Sequence, residues 1–227
     1  MSEVERLKKR IEELENENRR LNREFECSYD ITLELLGDAL DLKEGQTEAH
    51  SRRVTAFAIV IARAMGIPPD SQAMRVLARG AFLHDIGKMA IPDAILRKPE
   101  ALTPDESAIM RRHPYSGYEM LKMIPFLQEA AEIVYAHHEN FDGSGYPRGL
   151  RGEEIPFGAR ITAIANTLDA ITSNLPYRPA SSFQAGRKEI EAGSGRQFDP
   201  DVVKVFLAMS PSIWEDLRKQ INKRAKL

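Results

Sequence analysis

The sequence predicts an all-α fold, in which a compact helical domain is preceded by an N-terminal coiled-coil helix. Two observations lead to this prediction. Apolar residues recur at spacings of three and four along most of the 227 residues, which is the period of one helix face. No run of residues alternates between apolar and polar over more than a few positions, as a half-buried strand would. Helix start and stop signals then delimit the individual helices.

The first 25 residues carry a heptad pattern. Its a and d positions are Val4, Leu7, Ile11, Leu14, Asn18, Leu21 and Phe25. A buried Asn at an a position fixes the register and favours a parallel two-stranded coil. In that coil Glu3 would face Lys8 of a second copy. Arg10 would likewise face Glu15. We therefore predict that residues 1–25 form a parallel homodimeric coiled coil; the alternative is a single solvated amphipathic helix.

Residues 26–227 are predicted to form one domain of short helices. A helix over 48–65 ends at Gly66-Ile67-Pro68-Pro69, and Asp70 or Ser71 opens the next helix, which runs to His84. Thr103, Pro104 and Glu106 supply a cap, a first-turn proline and a reciprocating acid. Further helices are predicted at 29–43, 125–138, 157–173, 181–192, 199–209 and 211–225. The Gly- and Pro-rich segment 141–156 is predicted to be an irregular loop, and long loops in compact domains are often functional.

Composition narrows the classes of function. The formal net charge of -2 gives no reason to expect a surface for a nucleic-acid polymer. Cys27 is the only cysteine, which excludes an internal disulfide and fits a reducing compartment. No apolar run approaches the roughly 18–20 residues that span a bilayer, and the N-terminus lacks an apolar signal core. The sequence therefore predicts a cytoplasmic protein with neither a membrane nor a nucleic-acid polymer as partner.

All five histidines lie in short motifs that suit metal or phosphate chemistry. They are His50, His84, His113, His137 and His138. His84 is followed by an aspartate, and imidazole and carboxylate groups are ligands that transition metals accept. Two consecutive imidazoles at a helix end are hard to explain as packing, because each buried ring needs a hydrogen-bond partner. Taken singly, His50 and His113 read as ordinary histidines; taken together, the five predict a metal site.

Asp85 and Lys88 extend the motif towards phosphate chemistry. A carboxylate has two oxygens and can bridge two cations, and a two-metal site clamps both reacting oxygens of a phosphoryl group. Lys88 offers an ammonium to a phosphate. The nearby Gly145-Tyr146-Pro147 combines a glycine that permits close backbone approach with a flat aromatic face, which suits a pocket wall. A helix-capping pair at His84-Asp85 and a plain surface turn at the loop are the alternatives.

In order and approximate spacing, these motifs resemble the HD-GYP domains, a branch of the HD phosphohydrolase superfamily. The resemblance covers about residues 29–210 and continues through Gly149-Leu150-Arg151-Gly152, Ile155-Pro156, Arg160-Ile161, Pro176-Tyr177-Arg178 and Gln197-Phe198-Asp199-Pro200. It implies an HD-type helical fold, a bi- or trinuclear iron or manganese site, and hydrolysis of cyclic di-GMP to linear pGpG or GMP. It also implies coupling to a sensor or signalling protein through a helix such as 1–25.

The resemblance implies a role for individual residues. The implied metal ligands are His50, His84, Asp85, His113, His137, His138 and Asn166, with Asp85 bridging two ions. Asp85 and Lys88 are the implied catalytic residues. The implied substrate-binding residues are Lys88, Gly145, Tyr146, Pro147 and Arg178. We expect two divalent transition-metal ions, Fe or Mn.

Three positions depart from the pattern of the family. Asn166 stands where the family usually has an aspartate ligand, and Asp169, one helical turn further on, is expected to help only from behind the ligands. Gln46 stands where members with a third metal carry a glutamate. Leu175 stands where an arginine often meets the substrate phosphate. These departures favour a second hypothesis, a catalytically weakened cyclic-dinucleotide receptor or interaction module that signals through its coiled-coil dimer. A phosphohydrolase for another nucleotide is a third.

Overall fold

The structure is a computed structural model and describes residues 3–44, 49–174 and 179–224. Every regular element within these ranges is helical, and the one strand-like pairing among them is an isolated bridge between Ser194 and Phe198. The predicted all-α fold is therefore confirmed. The chain divides after Leu36 into two compact units.

The helices follow one another closely along the chain. They are α1 (Glu3–Glu44), α2 (His50–Ala64), α3 (Gln72–Phe82), α4 (Asp93–Leu96), α5 (Pro104–Met110), α6 (His113–Leu121), α7 (Gln128–Ala136), α8 (Phe157–Thr172), α9 (Phe183–Ala192), α10 (Pro200–Ala208) and α11 (Pro211–Arg224). Short 3₁₀ turns lie at Ile86–Ala90, Pro125–Leu127 and Gly152–Glu154. No described helix combines the length and the apolar character that a bilayer crossing requires.

Helix α1 is longer than the sequence pattern predicts. We expect separate helices at 1–25 and 29–43, but the structure has one uninterrupted helix. The intervening residues 26–28 include neither glycine nor proline, so nothing in the backbone chemistry ends the helix there. Within the first unit the apolar heptad residues face solvent, and Val4, Leu7, Ile11 and Leu14 are all more than half exposed. The domain boundary after residue 25 stays a prediction.

Helix α2 lies at the centre of the second unit. It packs against α3, α8, α10 and α11, and its core side chains, such as Val54, Phe57 and Ile61, are fully buried. The core residues of these helices include Val54, Phe57, Ile61, Leu77, Ile161, Leu168, Phe206 and Trp214. The ring of Trp214 meets the rings of Phe57 and Phe206 with centroid separations of 5.6 and 5.3 Å. These contacts attach the last helix to the first helix of the core.

Two helix starts are formed by the side chains that the sequence indicates. The Ser71 hydroxyl accepts a hydrogen bond from the backbone N–H of Met74 and caps α3. At α5, Thr103 and Glu106 form a reciprocal capping box, as predicted. Such caps satisfy backbone N–H groups that have no partner within the helix, and they typically stabilise a helix by about 1 kcal/mol.

The helix ends bring the predicted site residues to one place. His50 and His113 are the first residues of α2 and α6, and His137 directly follows α7. Asp85 opens the 3₁₀ turn that packs against α6. A Cβ atom at Gly87 in that turn would lie 1.9 Å from the carbonyl oxygen of His113, so only glycine allows this approach. The turn therefore holds Asp85 close to the start of α6.

Candidate metal centre

The carboxylate of Asp85 lies in the middle of the histidines and is buried. Its Oδ1 is 3.2 Å from Nε2 of His113 and 3.7 Å from Nε2 of His137. Its Oδ2 is 3.2 Å from Nε2 of His84 and 3.9 Å from Nε2 of His50. Each oxygen of one carboxylate therefore faces a different pair of imidazoles, which is the arrangement of a bridging ligand.

Two groups of candidate ligands share Asp85. The His50 group comprises His50, His84 and Asp85, and the His137 group comprises Asp85, His113, His137 and His138. In each group, one ligand atom from every residue lies within 4.8 Å of the others. The structure thus brings together all five histidines and Asp85, the residues that the sequence nominates. Their roles as ligands stay predictions.

Hydrogen bonds to backbone carbonyls determine the tautomer of three histidines. In each, Nδ1 lies 2.7–2.8 Å from the carbonyl oxygen three residues earlier: Ala81 for His84, Met110 for His113 and Val134 for His137. A carbonyl oxygen only accepts, so Nδ1 must carry the proton. In the neutral ring Nε2 then keeps its lone pair, as a metal ligand requires.

The same tautomer of His50 is determined by the side chain of Asp169. Nδ1 of His50 donates to Oδ2 of Asp169 at 2.8 Å. Asp169 is fully buried; burial alone raises its pKa, but hydrogen bonds from His50 and Arg53 outweigh burial and lower the pKa. The carboxylate is therefore ionised and accepts the imidazole proton, which leaves Nε2 of His50 directed at Asp85. Asp169 thus lies behind a candidate ligand, and its supporting role stays a prediction.

The Nε2 lone pairs of His84, His113 and His137 point into a common space without a hydrogen-bond donor among the described residues, and a cation would satisfy them. Nε2 of His113 and Nε2 of His137 are 3.2 Å apart, yet neither can donate to the other once both Nδ1 atoms are protonated. Nε2 of His84 is buried and makes no hydrogen bond to any described residue. Ligand atoms about 2.1 Å from a common ion lie about 3.0–3.4 Å from one another, so these residues fit a metal ion.

Burial favours the neutral form of three of the histidines, while Asp85 stays ionised. Burial lowers the pKa of His113 and of His137, and burial together with these neighbours lowers the pKa of His138 well below its ordinary value. Burial alone would raise the pKa of Asp85, but the Lys88 ammonium and the surrounding histidines hold that pKa well below its usual range. Neutral imidazole and ionised carboxylate are the forms that bind metals.

Lys88 lies against the same carboxylate. Its Nζ donates to Oδ2 of Asp85 at 2.7 Å, and its side chain is largely buried. The ammonium is therefore next to the candidate ions, where a phosphate group would arrive. The predicted contact between Lys88 and phosphate stays a prediction.

The loop that contains Gly145, Tyr146 and Pro147 folds onto the His137 group. The Tyr146 ring stacks on the ring of His138, with centroids 4.8 Å apart and planes inclined by 17°. A Cβ atom at Gly145 would lie 2.2 Å from the backbone nitrogen of Asn140, which explains the need for glycine. The peptide bond between Tyr146 and Pro147 is cis.

Buried Glu139 anchors this loop. Its carboxylate accepts hydrogen bonds from the backbone N–H groups of Arg148 at 2.7 Å and Leu150 at 3.2 Å. Glu139 directly follows the histidine pair in sequence, so the residue that holds the loop is adjacent to the candidate ligand His138, on which the loop packs. The sequence shows Glu139 beside the pair but does not indicate this structural role.

A cavity of about 250 Å³ adjoins the His137 group. It is lined by His137, His138, Glu139, Asn140, Ala163, Asn166, Thr167, Ala170, Ile171 and Gln197. Asn166 thus faces the same space as two candidate ligands, and its neutral amide replaces the charge that an aspartate would bring there. Gln46, Leu175 and Arg178 lie outside the described residues.

Sequence reasoning misses two arginines behind the ligands. Arg53 donates to both oxygens of Asp169, at 2.6 and 3.0 Å, and Arg218 donates to Oδ1 at 2.8 Å. Arg53 follows His50 by three residues and so shares its helix face, which is a signal that the sequence offers. Arg218 comes from α11, and no local pattern connects it with Asp169.

Comparisons with known proteins agree with this geometry. The HD domain family matches residues 34–202. The cyclic di-GMP phosphodiesterase response regulator RpfG of Xanthomonas campestris is 43% identical over 178 residues, or 78% of this chain and 47% of the relative. A cyclic di-GMP phosphodiesterase of Thermotoga maritima is 38% identical over 221 residues, or 96% of this chain and 60% of the relative. The chain spans about half the length of these curated relatives.

The fold also matches a solved structure. A cyclic GMP-AMP-specific phosphodiesterase of Vibrio cholerae superimposes with a TM-score of 0.64 at 21% identity, over 84% of this chain and 51% of that one. At this identity the likeness establishes the fold alone. Together with the family match over most of the chain, it agrees with the resemblance that the motifs indicate. The chain belongs to the HD domain family.

Proposed function

We propose that this chain is a metal-dependent phosphodiesterase that hydrolyses cyclic di-GMP to linear pGpG or GMP. The observation that carries the proposal is the convergence of imidazole lone pairs on the shared carboxylate of Asp85. The two curated relatives described above are named for this substrate, which supports the choice of cyclic di-GMP.

We propose that two divalent ions, Fe or Mn, occupy the two groups. Imidazole and carboxylate ligands suit these metals, and neither group includes a thiolate. Asp85 would belong to both ions, and Asn166 would complete the His137 group with its amide oxygen. Bound ions would supply Lewis acidity towards phosphate oxygens and activate water at neutral pH.

The protein groups around the ions would orient the substrate. Lys88, 2.7 Å from Asp85, would offset negative charge that develops on the phosphate oxygens. Burial raises the pKa of Tyr146 to about 12, so its hydroxyl stays neutral and donates a hydrogen bond without repelling phosphate. Gly145 and Pro147 would keep the tyrosine ring on His138, and Arg178 would contact a substrate phosphate.

The test is product formation with purified protein. We expect the chain loaded with Mn²⁺ or Fe²⁺ to convert cyclic di-GMP to linear products, followed by chromatography. His84→Ala should lower turnover about a hundredfold or more, because a missing ligand removes several kcal/mol of transition-state stabilisation. Equal turnover by this variant would contradict the proposal, and turnover of another cyclic nucleotide alone would correct the substrate.

Asn166 favours a second candidate, a cyclic-dinucleotide receptor with weak or absent turnover. Its neutral side chain lines the cavity beside His137 and His138, where a carboxylate would bind a cation more strongly. Tight binding of cyclic di-GMP without product, with activity appearing in Asn166→Asp, would support the receptor. Turnover by the unaltered chain excludes it.

We also propose that residues 1–25 pair with a second copy of the chain as a parallel coiled coil. The support is the exposed apolar stripe of the first unit, together with the opposite charges that Glu3 and Lys8 would present to each other across the pair. A sensor or signalling partner would act through this helix.

The oligomeric state in solution, measured by light scattering, tests the coil. We expect a dimer, and we expect Asn18→Leu to change the order or the register of the assembly, since a buried Asn selects the two-stranded form. A monomer both before and after the substitution would contradict the coiled coil.

A further inference from the structure

Arg111 lies beside the candidate metal centre but outside the set of residues that the motifs nominate. It follows α5 directly and precedes His113 by two residues. The central carbon of its guanidinium lies 5.0 Å from the centre of the Tyr146 ring. That ring stacks in turn on His138. The Tyr146 ring therefore contacts both Arg111 and a candidate ligand, and a cation over an aromatic face is a favourable pairing.

The charge of Arg111 is not neutralised by the part of the chain that the structure describes. No carboxylate among those residues forms an ion pair with it, and the side chain is exposed. Arg148 makes a similar contact with the ring of Tyr135 at 4.4 Å, but it also pairs with Glu132 at 3.0 Å. Among the described residues no side-chain hydrogen bond occupies the five N–H donors of Arg111, which can therefore bind an anion that arrives from solvent.

The proposed substrate needs such a cation. A cyclic dinucleotide carries two phosphodiesters, and the metal centre with Lys88 would engage the one that reacts. The second phosphodiester keeps its negative charge and must be bound elsewhere. Leu175 offers no charge at the position where the family often has an arginine, so besides Arg178 this chain has one cation fewer for the substrate at that place in the sequence.

We propose that Arg111 binds the phosphodiester that is not cleaved. This inference rests on the proposed function and assigns one further substrate-binding residue to it. The contact with the Tyr146 ring holds the Arg111 guanidinium beside the site, so a hydrogen-bonded pair with phosphate costs less conformational entropy than it would for a mobile surface arginine. The contact involves a group remote from the reacting phosphorus. It should therefore affect substrate binding rather than the chemical step.

The experiment compares two substrates that differ in the number of phosphodiesters. Cyclic di-GMP has two, whereas bis(p-nitrophenyl) phosphate has one and offers only the reacting group. With Arg111→Met in the Mn²⁺-loaded protein, we expect KM for cyclic di-GMP to rise about tenfold while kcat stays within about twofold. KM for bis(p-nitrophenyl) phosphate should not change. Arg111→Lys, which keeps the charge but not the planar fork, should give an intermediate KM.

Arg112→Met is the matched control. Arg112 is the neighbouring exposed arginine, so its removal changes the net charge equally. It should leave KM for both substrates near the value of the unaltered chain. Equilibrium binding of cyclic di-GMP, measured by calorimetry, supplies a readout that does not depend on turnover. Thermal unfolding of each variant checks that the fold is retained.

The outcomes separate the inference from the proposed function. A selective loss of cyclic di-GMP affinity in Arg111→Met, absent in Arg112→Met, supports the inference. Equal losses in both variants, or an equal rise of KM for both substrates, would overturn it. If the unaltered chain binds cyclic di-GMP without hydrolysing it, the binding comparison still decides the role of Arg111. If the unaltered chain neither binds nor hydrolyses cyclic di-GMP, the proposed function fails first and the inference fails with it.

Discussion

The histidines of the metal centre are held in two different ways. His84, His113 and His137 each donate Nδ1 to the carbonyl three residues earlier in the chain. His50 instead donates to Asp169, a residue 119 positions away. Three rings are thus oriented by the backbone three residues earlier, and one is oriented by the packing of α2 against α8. The difference teaches that His113 and His137 of the His137 group are held by local structure, while the His50 group combines the locally held His84 with His50, which depends on tertiary structure.

The anchor of His50 is itself a buried ionic network. Asp169 accepts hydrogen bonds from His50, Arg53, Ser173 and Arg218, and Arg218 also contacts the carbonyl and the hydroxyl of Thr172. A buried carboxylate with this many donors is fixed in orientation, and its loss leaves buried positive charge without a partner. The comparison can therefore be tested with two substitutions. One removes Asp85, which both groups share, and the other alters Asp169, which contacts only His50.

The largest effect is expected from Asp85→Ala, which removes the residue common to both groups. Both ions should be lost, and hydrolysis should fall about a thousandfold or more, because no carboxylate remains to bridge the imidazoles. Metal content by mass spectrometry and product formation measure this. Asp105→Ala, on the exposed first turn of α5, is the control. Retention of both ions by Asp85→Ala would show that the histidines bind metal without it.

Asp169→Asn should affect one group and not the other. It keeps an acceptor for His50 but leaves Arg53 and Arg218 without a charge partner, which should lower the free energy of unfolding by about 3–5 kcal/mol. It should also weaken the ion of the His50 group about 10–100-fold. Chemical denaturation and titration with Mn²⁺ measure the two quantities.

The matched control is Asp199→Asn. Asp199 is also buried and pairs with Arg160 at 2.6 Å, but no candidate ligand contacts this pair in the described residues. The Asp199→Asn variant should lose stability, whereas its affinity for both ions should not change. An equal loss of metal in both variants would mean that metal binding follows general stability rather than the anchor of His50.

Acidification should weaken the metal-free protein through the His137 group. The pKa values of His113, His137 and His138 are lowered by burial, so below their ordinary value of 6.5 the unfolded chain binds more protons than the folded chain. Stability should therefore be constant above about pH 7.5 and fall as the pH decreases through 6.5. Denaturation between pH 8 and pH 5 with a chelator measures this.

The substitution His138→Asn should reduce that slope, because one lowered pKa disappears. An unchanged slope would attribute the acid sensitivity to other groups. Added Mn²⁺ should restore stability at pH 7 more than at pH 5.5, since protons compete with the ion for Nε2.

The smallest effect is expected from Ser173→Ala. Its hydroxyl donates to Oδ2 of Asp169 at 3.3 Å, which is long beside the bonds from Arg53 and His50. We expect a loss of about 0.5–1 kcal/mol in the free energy of unfolding and a change of less than about twofold in metal affinity. A loss as large as that of Asp169→Asn would show that the serine, rather than the arginines, fixes the carboxylate.

Much of the helical architecture could be predicted from the sequence. The caps at Ser71 and Thr103 are where the residue chemistry indicates, because a cap involves side chains and backbone within one turn. The uninterrupted α1 differs from the prediction, because the apolar pattern changes near residue 26 but no breaker residue ends the helix there. The apolar repeat indicates which face of a helix is buried, whereas helix-breaking and capping residues indicate where the helix ends.

The candidate ligands could also be nominated from the sequence, whereas their anchors could not. His137 and its carbonyl partner lie within three residues, so the local backbone suffices to orient the ring. Glu139, Arg111 and Arg218 act on groups that come near only when the chain is folded. Periodicity carries no information about such contacts.

The sequence by itself determined the helical class and the residue types of the candidate metal centre, because the first follows from local periodicity and the second from side-chain chemistry. Only the tertiary structure decided that four imidazoles direct Nε2 at one carboxylate, that Asp169 joins His50 to Arg53 and Arg218, and that Arg111 lies over Tyr146. The physical reason is separation along the chain. Residues that are 35 positions apart, such as Arg111 and Tyr146, or 119 positions apart, such as His50 and Asp169, meet only when the domain is packed, and that packing is a property of the whole domain.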